Sequence, residues 1–306
     1  PALISGWDDM FALLRTVLYT NAVWIGGVAV QYFMFDPKKL TSHPFDRFIG
    51  LTANAQSAAI IHCVMIVIAL WLALNDPKRR YLLFYLMMLG LNGLMVVWTG
   101  SRTGSIMTIL GVVIAFYSRA GKTILLLPLM VGAVFAGFKA ATFVGVTFES
   151  TGHIISTADT RTAAWVALWE AGLQNPFAGV GVGTTDRSEN SYLYGFASAG
   201  IGLFALMIVY TIVSAGLCLK IYRLRWSLPK EQRAWADLIL SYNAMYFLGA
   251  HLEGYILGRV ASHLMFMLFF AAIATRFIEL AQEEKAWAAE YEEWEEGEYE
   301  YEYAGA

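Results

Sequence analysis

Residues 51–74 read LTANAQSAAIIHCVMIVIALWLAL, a stretch that contains no Asp, Glu, Lys or Arg. A bilayer hydrocarbon core about 30 Å thick is crossed by roughly 20 apolar residues in a helix, so this stretch predicts a transmembrane helix. The whole chain is 58% hydrophobic and 15% charged, with a mean hydropathy of +0.54. Soluble domains carry about 25% charged residues. The composition therefore excludes a soluble globular protein and indicates an integral membrane protein.

Seven further apolar stretches bring the number of candidate spans to about eight. The predicted spans are 10–33, 51–74, 81–99, 104–118, 123–140, 194–219, 235–256 and 260–280. The first contains Arg15, and the fourth is short for a full crossing. The expected fold is therefore all-α, a polytopic transmembrane helical bundle formed by residues 1–280, with one long outer loop, 141–193, that contains an interfacial helix.

Basic residues between the spans predict the orientation of the bundle. They fall in three connections: Lys78, Arg79 and Arg80; Arg119 and Lys122; and Lys220, Arg223, Arg225, Lys230 and Arg233. Cytoplasmic loops carry an excess of Lys and Arg, and these three connections alternate correctly if all of them are cytoplasmic. Both chain termini are then cytoplasmic, and the long loop 141–193 lies on the opposite side.

The segment 281–306 differs in composition from the bundle. Ten of the 24 acidic residues follow Leu280, so residues 1–280 hold 14 acidic residues against 20 Lys and Arg. Helix is expected as far as about Tyr291 and disorder after it, because like charges repel. The segment is either a solvated cytoplasmic tail or a docking strip for a basic partner. There is no basic surface outside the membrane-flanking loops, which argues against nucleic-acid binding.

The long outer loop is the one extramembrane segment large enough to carry chemistry. Thr157 or Asp159 can cap a helix over 160–173. Trp165 and Trp169 on this helix favour a position at the membrane interface, where the indole ring sits at headgroup level. The two cysteines, Cys63 and Cys218, both lie in apolar stretches and are interpreted as small packing residues.

A glycine-rich strip follows this helix. Proline ends the helix at Gln174-Asn175-Pro176, and Gly179-Val180-Gly181-Val182-Gly183 comes next. Small residues allow a ligand to approach the backbone closely. The strip is not a dinucleotide-binding fingerprint, because its spacing and its context between a helix and a loop are both wrong.

Four stretches, in this order, resemble the O-antigen ligase and polymerase superfamily of bacterial envelope enzymes. The matching residues are Arg47-Phe48-Ile49-Gly50-Leu51 with Asn54; Ser101-Arg102; Arg161 with Trp165, Asn175-Pro176-Phe177 and Gly179, Gly181 and Gly183; and Glu189-Asn190-Ser191-Tyr192-Leu193 with Gly200-Ile201-Gly202. Members usually have more spans, and this chain starts at Pro1 without an initiator Met. Several N-terminal helices are therefore expected to precede it.

The resemblance implies a periplasmic reaction at the bacterial inner membrane. Such enzymes take an undecaprenyl-diphosphate-linked glycan as donor and move the glycan, with inversion, to lipid A core or to another lipid-linked repeat. They need no metal, nucleotide or other cofactor, although polysaccharide-assembly partners are possible. Ligases have His where this chain has Glu189, and Leu203 stands where the second glycine of the final motif is expected. Both departures favour a polymerase or another glycan transferase over a ligase.

The chemistry of a diphosphate leaving group points to the outer arginines. Guanidinium groups stay charged when partly desolvated and grip phosphate oxygens with a rigid fork of donors. Arg161 and Arg102 are assigned to catalysis together with Glu189, which is the first candidate for the base. The residues assigned to substrate binding are Arg47, Arg187, Asn190, Tyr192, His251, Glu253 and Arg259, with Glu253 as the second candidate base. No metal ligands are assigned.

Simpler interpretations compete with these assignments. Arg102 and Arg259 can anchor span ends by snorkelling, and Glu189 can be an ordinary N-terminal carboxylate of the sixth span. His251 and Glu253 can form a structural hydrogen-bonded pair between helices. At the level of the whole protein, a transporter or flippase of polysaccharide intermediates and a non-enzymatic envelope assembly protein remain alternatives. A transporter should show internal repeats and broken helices at matching positions, and no convincing repeat is visible.

Overall fold

In a computed structural model of the chain, the structure describes residues 4–42, 47–52, 54–116, 161–185, 189–254 and 262–304. Within these ranges it contains eight α-helices and one β-hairpin whose two strands have two residues each. The helices are α1 (Trp7–Met34), α2 (Ala55–Asn75), α3 (Leu82–Trp98), α4 (Arg102–Ala115), α5 (Arg161–Gln174), α6 (Ser191–Leu224), α7 (Lys230–Leu252) and α8 (Ser262–Ala304). The hairpin pairs β1 (Thr41–Ser42) with β2 (Arg47–Phe48) in antiparallel register between α1 and α2.

Five of the described helices are long and apolar enough to cross a membrane. The qualifying stretches are Trp7–Met34, Ala55–Asn75, Arg79–Trp98, Ser191–Ser227 and Met265–Trp287. An all-α membrane bundle is therefore confirmed in outline. The short α4 is apolar but has 14 residues, and α7 does not reach the same hydropathy because its first turns carry Glu231, Arg233 and Asp237. The predicted span 123–140 lies outside the described residues.

Helix α2 is the centre of the bundle. It contacts α1, α3, α4, α7 and α8, and 83% of its most apolar window is buried inside the protein. A helix that is apolar on all sides is stabilised by being surrounded, and the uncharged sequence of α2 meets that condition. The spans in α1, α3 and α8 pack against α2 and leave their outer faces exposed, as expected for helices that face lipid.

Small residues on α4 allow it to approach α2 and α7 closely. A Cβ atom added to Gly104 would come within 2.9 Å of Ala59 on α2. One added to Gly111 would come within 2.9 Å of Val67 and still closer to Met245 on α7. In a bilayer the hydrophobic effect does not drive helices together, so membrane helices associate through close packing at small residues such as these. Cys63 packs here, with its Sγ 3.0 Å from the Gly104 carbonyl oxygen, and both cysteines are free.

Two ion pairs are buried at the end of the bundle where α2 finishes and α7 begins. Arg15 lies 3.2 Å from Asp76, which also accepts a hydrogen bond from the Tyr85 hydroxyl. Arg225 lies 3.2 Å from Asp237. At the same end, the Trp71 indole N–H donates to the Ala234 carbonyl at 2.8 Å. The connections with Lys78 and with Arg233 lie at this end, about 30 Å along α2 from Ala55, so two of the three predicted basic connections share one end of the bundle. The third, with Arg119 and Lys122, lies outside the described residues.

The acidic C-terminal segment is helical to Ala304. The expected change from helix to disorder near Tyr291 is therefore not seen within the described residues. The helix α8 is continuous through the change from the apolar span to the Glu-rich sequence.

We expect Gly111→Val to lower the free energy of unfolding by about 1–3 kcal/mol, because the added methyl groups overpack the contact between α4, α2 and α7. Gly93→Val on α3 is the matched control, since a Cβ there meets no atom within 4 Å. Thermal unfolding in detergent measures both. Equal melting temperatures for the two variants would contradict close packing at Gly111.

Candidate functional site

The end of the bundle opposite the basic loops gathers polar side chains from five segments. Asn190 caps the N-terminus of α6, where its side-chain oxygen accepts from the N–H groups of Tyr192 at 2.9 Å and Leu193 at 3.0 Å. Its amide nitrogen donates to the carbonyl of His251 at 2.9 Å. The Ser191 hydroxyl donates to the carbonyl of Glu253 at 2.8 Å. The start of α6 and the end of α7 are thus joined by two hydrogen bonds.

Glu253 lies at the centre of this group. The residue follows α7 in an extended conformation, and its Oε1 accepts a hydrogen bond from Thr103 Oγ1 at 2.8 Å and contacts Arg161 Nη2 at 3.1 Å. Arg161 also donates to Thr103 Oγ1. The side chains of Arg161 and Glu253 are 25% and 13% exposed. One carboxylate therefore links the first turns of α4 and α5 to the end of α7 in a partly desolvated setting.

Two more arginines lie around this pair. Arg47 in β2 donates from Nε to the Thr99 carbonyl at 2.8 Å. Burial lowers the pKa of Arg47, the nearby carboxylate of Glu253 acts in the opposite direction, and the charge of Arg102 lowers the pKa further. Glu253 and Arg102 are therefore both close enough to Arg47 to influence it electrostatically. Arg102 is the first residue of α4, directly after the N-cap Ser101.

Glu189 lies within electrostatic range of Glu253. The pKa of Glu253 is raised mainly because the carboxyl group is buried; hydrogen bonds and charge from Thr103 and Arg161 lower it, and the charge of Glu189 raises it. The backbone carbonyl of Glu189 accepts from the Trp165 indole N–H at 3.2 Å. This contact attaches α5 to the segment before α6.

Helix α6 is broken at Gly200, and the glycine-rich strip fills the break. Gly200 has a φ of 75°, and the backbone groups that the break frees are bonded to residues 176–181. Val180 N–H donates to the Ala197 carbonyl at 2.7 Å, Gly181 N–H to Ser198 at 3.1 Å, and Ile201 N–H to Pro176 at 2.7 Å. Apolar surroundings make unpaired backbone groups costly, so the strip and the break stabilise each other.

Helix α5 packs one face on α6 and leaves the other exposed. The packed stripe is Ala164, Leu168 and Gly172, and Gly172 lies directly against the ring of Phe196. The helix ends at Gln174, as the following proline predicts. Trp169 remains 48% exposed. The expected caps Thr157 and Asp159 lie outside the described residues.

The structure brings together eight of the ten residues selected from the sequence. They are Arg47, Arg102, Arg161, Glu189, Asn190, Tyr192, His251 and Glu253. The rings of Tyr192 and His251 contact each other, with centroids 4.7 Å apart. The Tyr192 hydroxyl bonds Thr211, and His251 Nδ1 bonds the Phe247 carbonyl, so these polar atoms do not contact Arg161 or Glu253. Arg187 and Arg259 lie outside the described residues. Among the residues that are described, no group of three or more His, Cys, Asp or Glu side chains is arranged to hold a metal ion.

Thr103 and Ser191 are the members that sequence reasoning missed. Thr103 bonds both Arg161 and Glu253, and Ser191 bonds the Glu253 backbone. Each follows a selected residue directly in the chain, Arg102 and Asn190 respectively. Their position next to a selected residue was the only sign in the sequence that they could belong to the site. Hydroxyl side chains are too common in apolar helices to be identified as site residues on that sign alone.

No protein-family model matches the chain. A search of curated proteins likewise finds no significant match. The geometry of the site therefore carries the functional argument.

We expect Gly200→Ala to lower the melting temperature and to expose the strip 176–183 to protease. A side chain at a positive φ costs about 1–2 kcal/mol, and the added Cβ would lie 2.4 Å from the Phe177 carbonyl oxygen. Thermal unfolding and limited proteolysis, with cleavage sites read by mass spectrometry, test this.

Gly202→Ala is the matched control, two residues further along the same helix. A Cβ at Gly202 meets no atom within 4 Å, and alanine is the better helix former, so this variant should melt at or above the wild-type temperature. If Gly200→Ala behaves like Gly202→Ala, the glycine strip does not depend on the break in α6.

Proposed function

We propose that the chain transfers or polymerises an undecaprenyl-diphosphate-linked glycan on the periplasmic face of the bacterial inner membrane, as a metal-independent inverting glycosyltransferase. The observation that carries the proposal is the contact between Arg161 and the buried carboxylate of Glu253 at one end of a membrane bundle, with Arg47 close enough to be influenced by both Glu253 and Arg102. Guanidinium groups in a partly desolvated site bind phosphate oxygens strongly. A diphosphate at the membrane surface has the matching charge and position.

The arginines would bind the diphosphate of the donor and stabilise it as the leaving group. Negative charge grows on the bridging oxygen as the bond to the anomeric carbon breaks, and fixed donors in a partly desolvated site are most effective against developing charge. Arg161 is the member in direct contact with Glu253. A diphosphate that competes for Arg161 would loosen this contact and free the carboxylate.

Glu253 is then the better candidate for the base, ahead of Glu189. Its carboxylate faces Arg161 and Thr103, and burial raises its pKa toward the range in which a base works efficiently. In the proposed step, the acceptor hydroxyl gives its proton to Glu253 while its oxygen bonds to the anomeric carbon. The bond from that carbon to the diphosphate breaks on the opposite side, which inverts the configuration. Glu189 would then act on the base indirectly, because its negative charge raises the pKa of Glu253.

The proposal is distinguished from its alternatives by where the charges lie. A transporter or flippase of polysaccharide intermediates would concentrate its binding groups near the middle of the membrane. In the described bundle, Arg102 and Arg161 lie at helix starts, and the polar side chains further inside, His62, Asn92 and Asn21, are hydrogen bonded to one another. A non-enzymatic assembly protein would have no need for a partly desolvated arginine cluster. Lipid A core and a second lipid-linked glycan both remain possible acceptors.

We expect Arg161→Ala and Arg102→Ala each to lower the transfer rate by roughly 10²–10³-fold, by analogy with the loss of one donor to a developing oxyanion, about 2–4 kcal/mol. The measurement is glycan extension by reconstituted protein with an undecaprenyl-diphosphate-linked donor. Complementation of a polysaccharide-deficient strain provides the second readout.

The matched control is Arg223→Ala, an exposed arginine at the far end of α6. It should leave transfer unchanged, and all variants should be present at equal protein levels. Full-length glycan in normal amount from both site variants would rule out the transferase.

The dependence of the transfer rate on pH tests the role of Glu253. A base works only when unprotonated, so the rate should fall as the pH decreases through the raised pKa of Glu253. Thr103→Val removes a hydrogen bond that lowers this pKa. The acid limb of the profile should therefore move to higher pH in this variant, and Glu253→Gln should abolish transfer.

Thr108→Val, one and a half turns further along α4, is the control. Its hydroxyl donates to the Gly104 carbonyl within its own helix, so the acid limb should stay where it is in the wild type. An acid limb at the same pH in Thr103→Val, with Glu253→Gln still active, would show that another group is the base.

A further inference from the structure

Residues 189–191, with the sequence Glu-Asn-Ser, connect three helices at the candidate site. We refer to them as the clamp. Its last residue, Ser191, begins α6. The clamp bonds α5 through the Glu189 carbonyl, which accepts from the Trp165 indole N–H at 3.2 Å. Trp165 lies one turn after Arg161 on the same side of α5. This bond therefore holds the turn of α5 that carries Arg161 against the start of α6.

The clamp also bonds the end of α7, and it does so twice. The Asn190 amide donates to the carbonyl of His251 at 2.9 Å, and the Ser191 hydroxyl donates to the carbonyl of Glu253 at 2.8 Å. Glu253 follows the last helical residue, Leu252, in an extended conformation, so the helix alone does not determine where its backbone lies. The two bonds supply that constraint, and the Glu253 carboxylate is carried on the backbone that they hold.

The two side chains that bond α7 are buried. Asn190 and Ser191 are 8% and 0% exposed. The side-chain oxygen of Asn190 accepts from the N–H groups of Tyr192 and Leu193, so both ends of its amide are used within the protein. A carboxylate of the same size has acceptors only and cannot fill both roles. These bonds favour a role for Asn190 through α7 over the direct contact with substrate that the sequence suggested.

We propose that the clamp is a positioning element that sets the separation between Arg161, which would hold the donor diphosphate, and Glu253, which would take the proton of the acceptor. The inference rests on the proposed function. The two residues come from different elements, and their contact at 3.1 Å requires α5 and α7 to keep one relative position. Misplacing a reacting group by about 1 Å can cost 10²-fold in rate. Bonds to backbone carbonyls hold both elements in place without touching substrate.

Trp165→Phe tests the bond to α5, because it keeps an aromatic ring and removes the N–H. We expect kcat/KM for the undecaprenyl-diphosphate-linked donor to fall by about tenfold, the value of one hydrogen bond. In Arg161→Ala the same change should have no further effect, because residues that act through one another are not additive. Trp169→Phe, one turn further along α5 and 48% exposed, is the matched control and should leave transfer by the reconstituted protein unchanged.

Ser191→Ala tests the bond to the Glu253 backbone. We expect kcat to fall by about 10–100-fold while the KM for the donor stays close to the wild-type value, since Arg161 is still held. In Glu253→Asp, whose shorter side chain already misplaces the carboxylate, Ser191→Ala should have little further effect. Ser227→Ala is the matched control, because its hydroxyl bonds a backbone carbonyl, that of Leu224, at the far end of α6. It should behave as wild type.

Asn190→Asp is a second variant on the α7 side that introduces no change at Ser191. The carboxylate accepts from the same N–H groups and caps α6 as well as the amide does, but it has no N–H for the His251 carbonyl. We expect kcat to fall by about 10–100-fold here too, at a helix content that circular dichroism shows to be that of wild type. A wild-type kcat would show that this bond does not position the base.

The outcomes separate the clamp from the proposed function. Wild-type transfer by Trp165→Phe and Ser191→Ala, with Arg161→Ala and Glu253→Gln inactive, would overturn the clamp and leave the transferase standing. Effects that add fully to those of Arg161→Ala and Glu253→Asp would also overturn it, since they would reflect loss of folded protein. Full transfer by Arg161→Ala and Glu253→Gln would remove the proposed function and the clamp together. If Ser191→Ala does not fold, the Trp165→Phe measurements decide.

Discussion

The contact among Glu253, Arg161 and Thr103 is the constraint on which the site depends. It joins the end of α7 to the first turns of α4 and α5. Breaking a buried pair by removing one partner typically costs about 3–5 kcal/mol, because the other charge is left desolvated. Each member therefore holds the others, and the three helix ends cannot separate without exposing an uncompensated charge. Solvent screening reduces this free-energy cost for exposed groups. The reduction is larger for Arg161 than for Glu253, because Arg161 is more exposed.

This arrangement also explains why permanent charges are tolerated so close to lipid. Arg47 is held by a backbone carbonyl, so it is not a freely snorkelling anchor in the described structure. Arg102 follows the N-cap of α4. Glu253 and Glu189 supply negative charge at the same end of the bundle. Under the proposed function, the diphosphate of the donor would bind to the guanidinium groups there.

Much of the bundle follows from hydropathy, whereas the site depends on contacts that no local pattern encodes. The uncharged stretch in α2 predicts a central span, and proline correctly predicts the end of α5 at Gln174. The break in α6 at Gly200 was not predicted, because the glycine becomes a break only when residues 176–181 supply partners to its backbone. Thr103 was missed for a similar reason, since its importance comes from residues 58 and 150 positions away. The burial of Glu253, which favours it over Glu189 as the base in the proposed reaction, is likewise not visible in the sequence.

Helix α7 sets the position of the Glu253 carboxylate. Near its start, Asp237 is paired with the buried Arg225, and the Ala234 carbonyl accepts from Trp71 on α2. In its middle, Ser241 donates to the carbonyl of Gly111 at 2.7 Å. At its end, Asn190 and Ser191 bond the backbone of His251 and Glu253. A helix fixed at three levels cannot slide along its axis, so the less hydrophobic sequence of α7 is explained by the polar contacts that hold it in register. The precision of the site is thus a consequence of polar residues placed far from it.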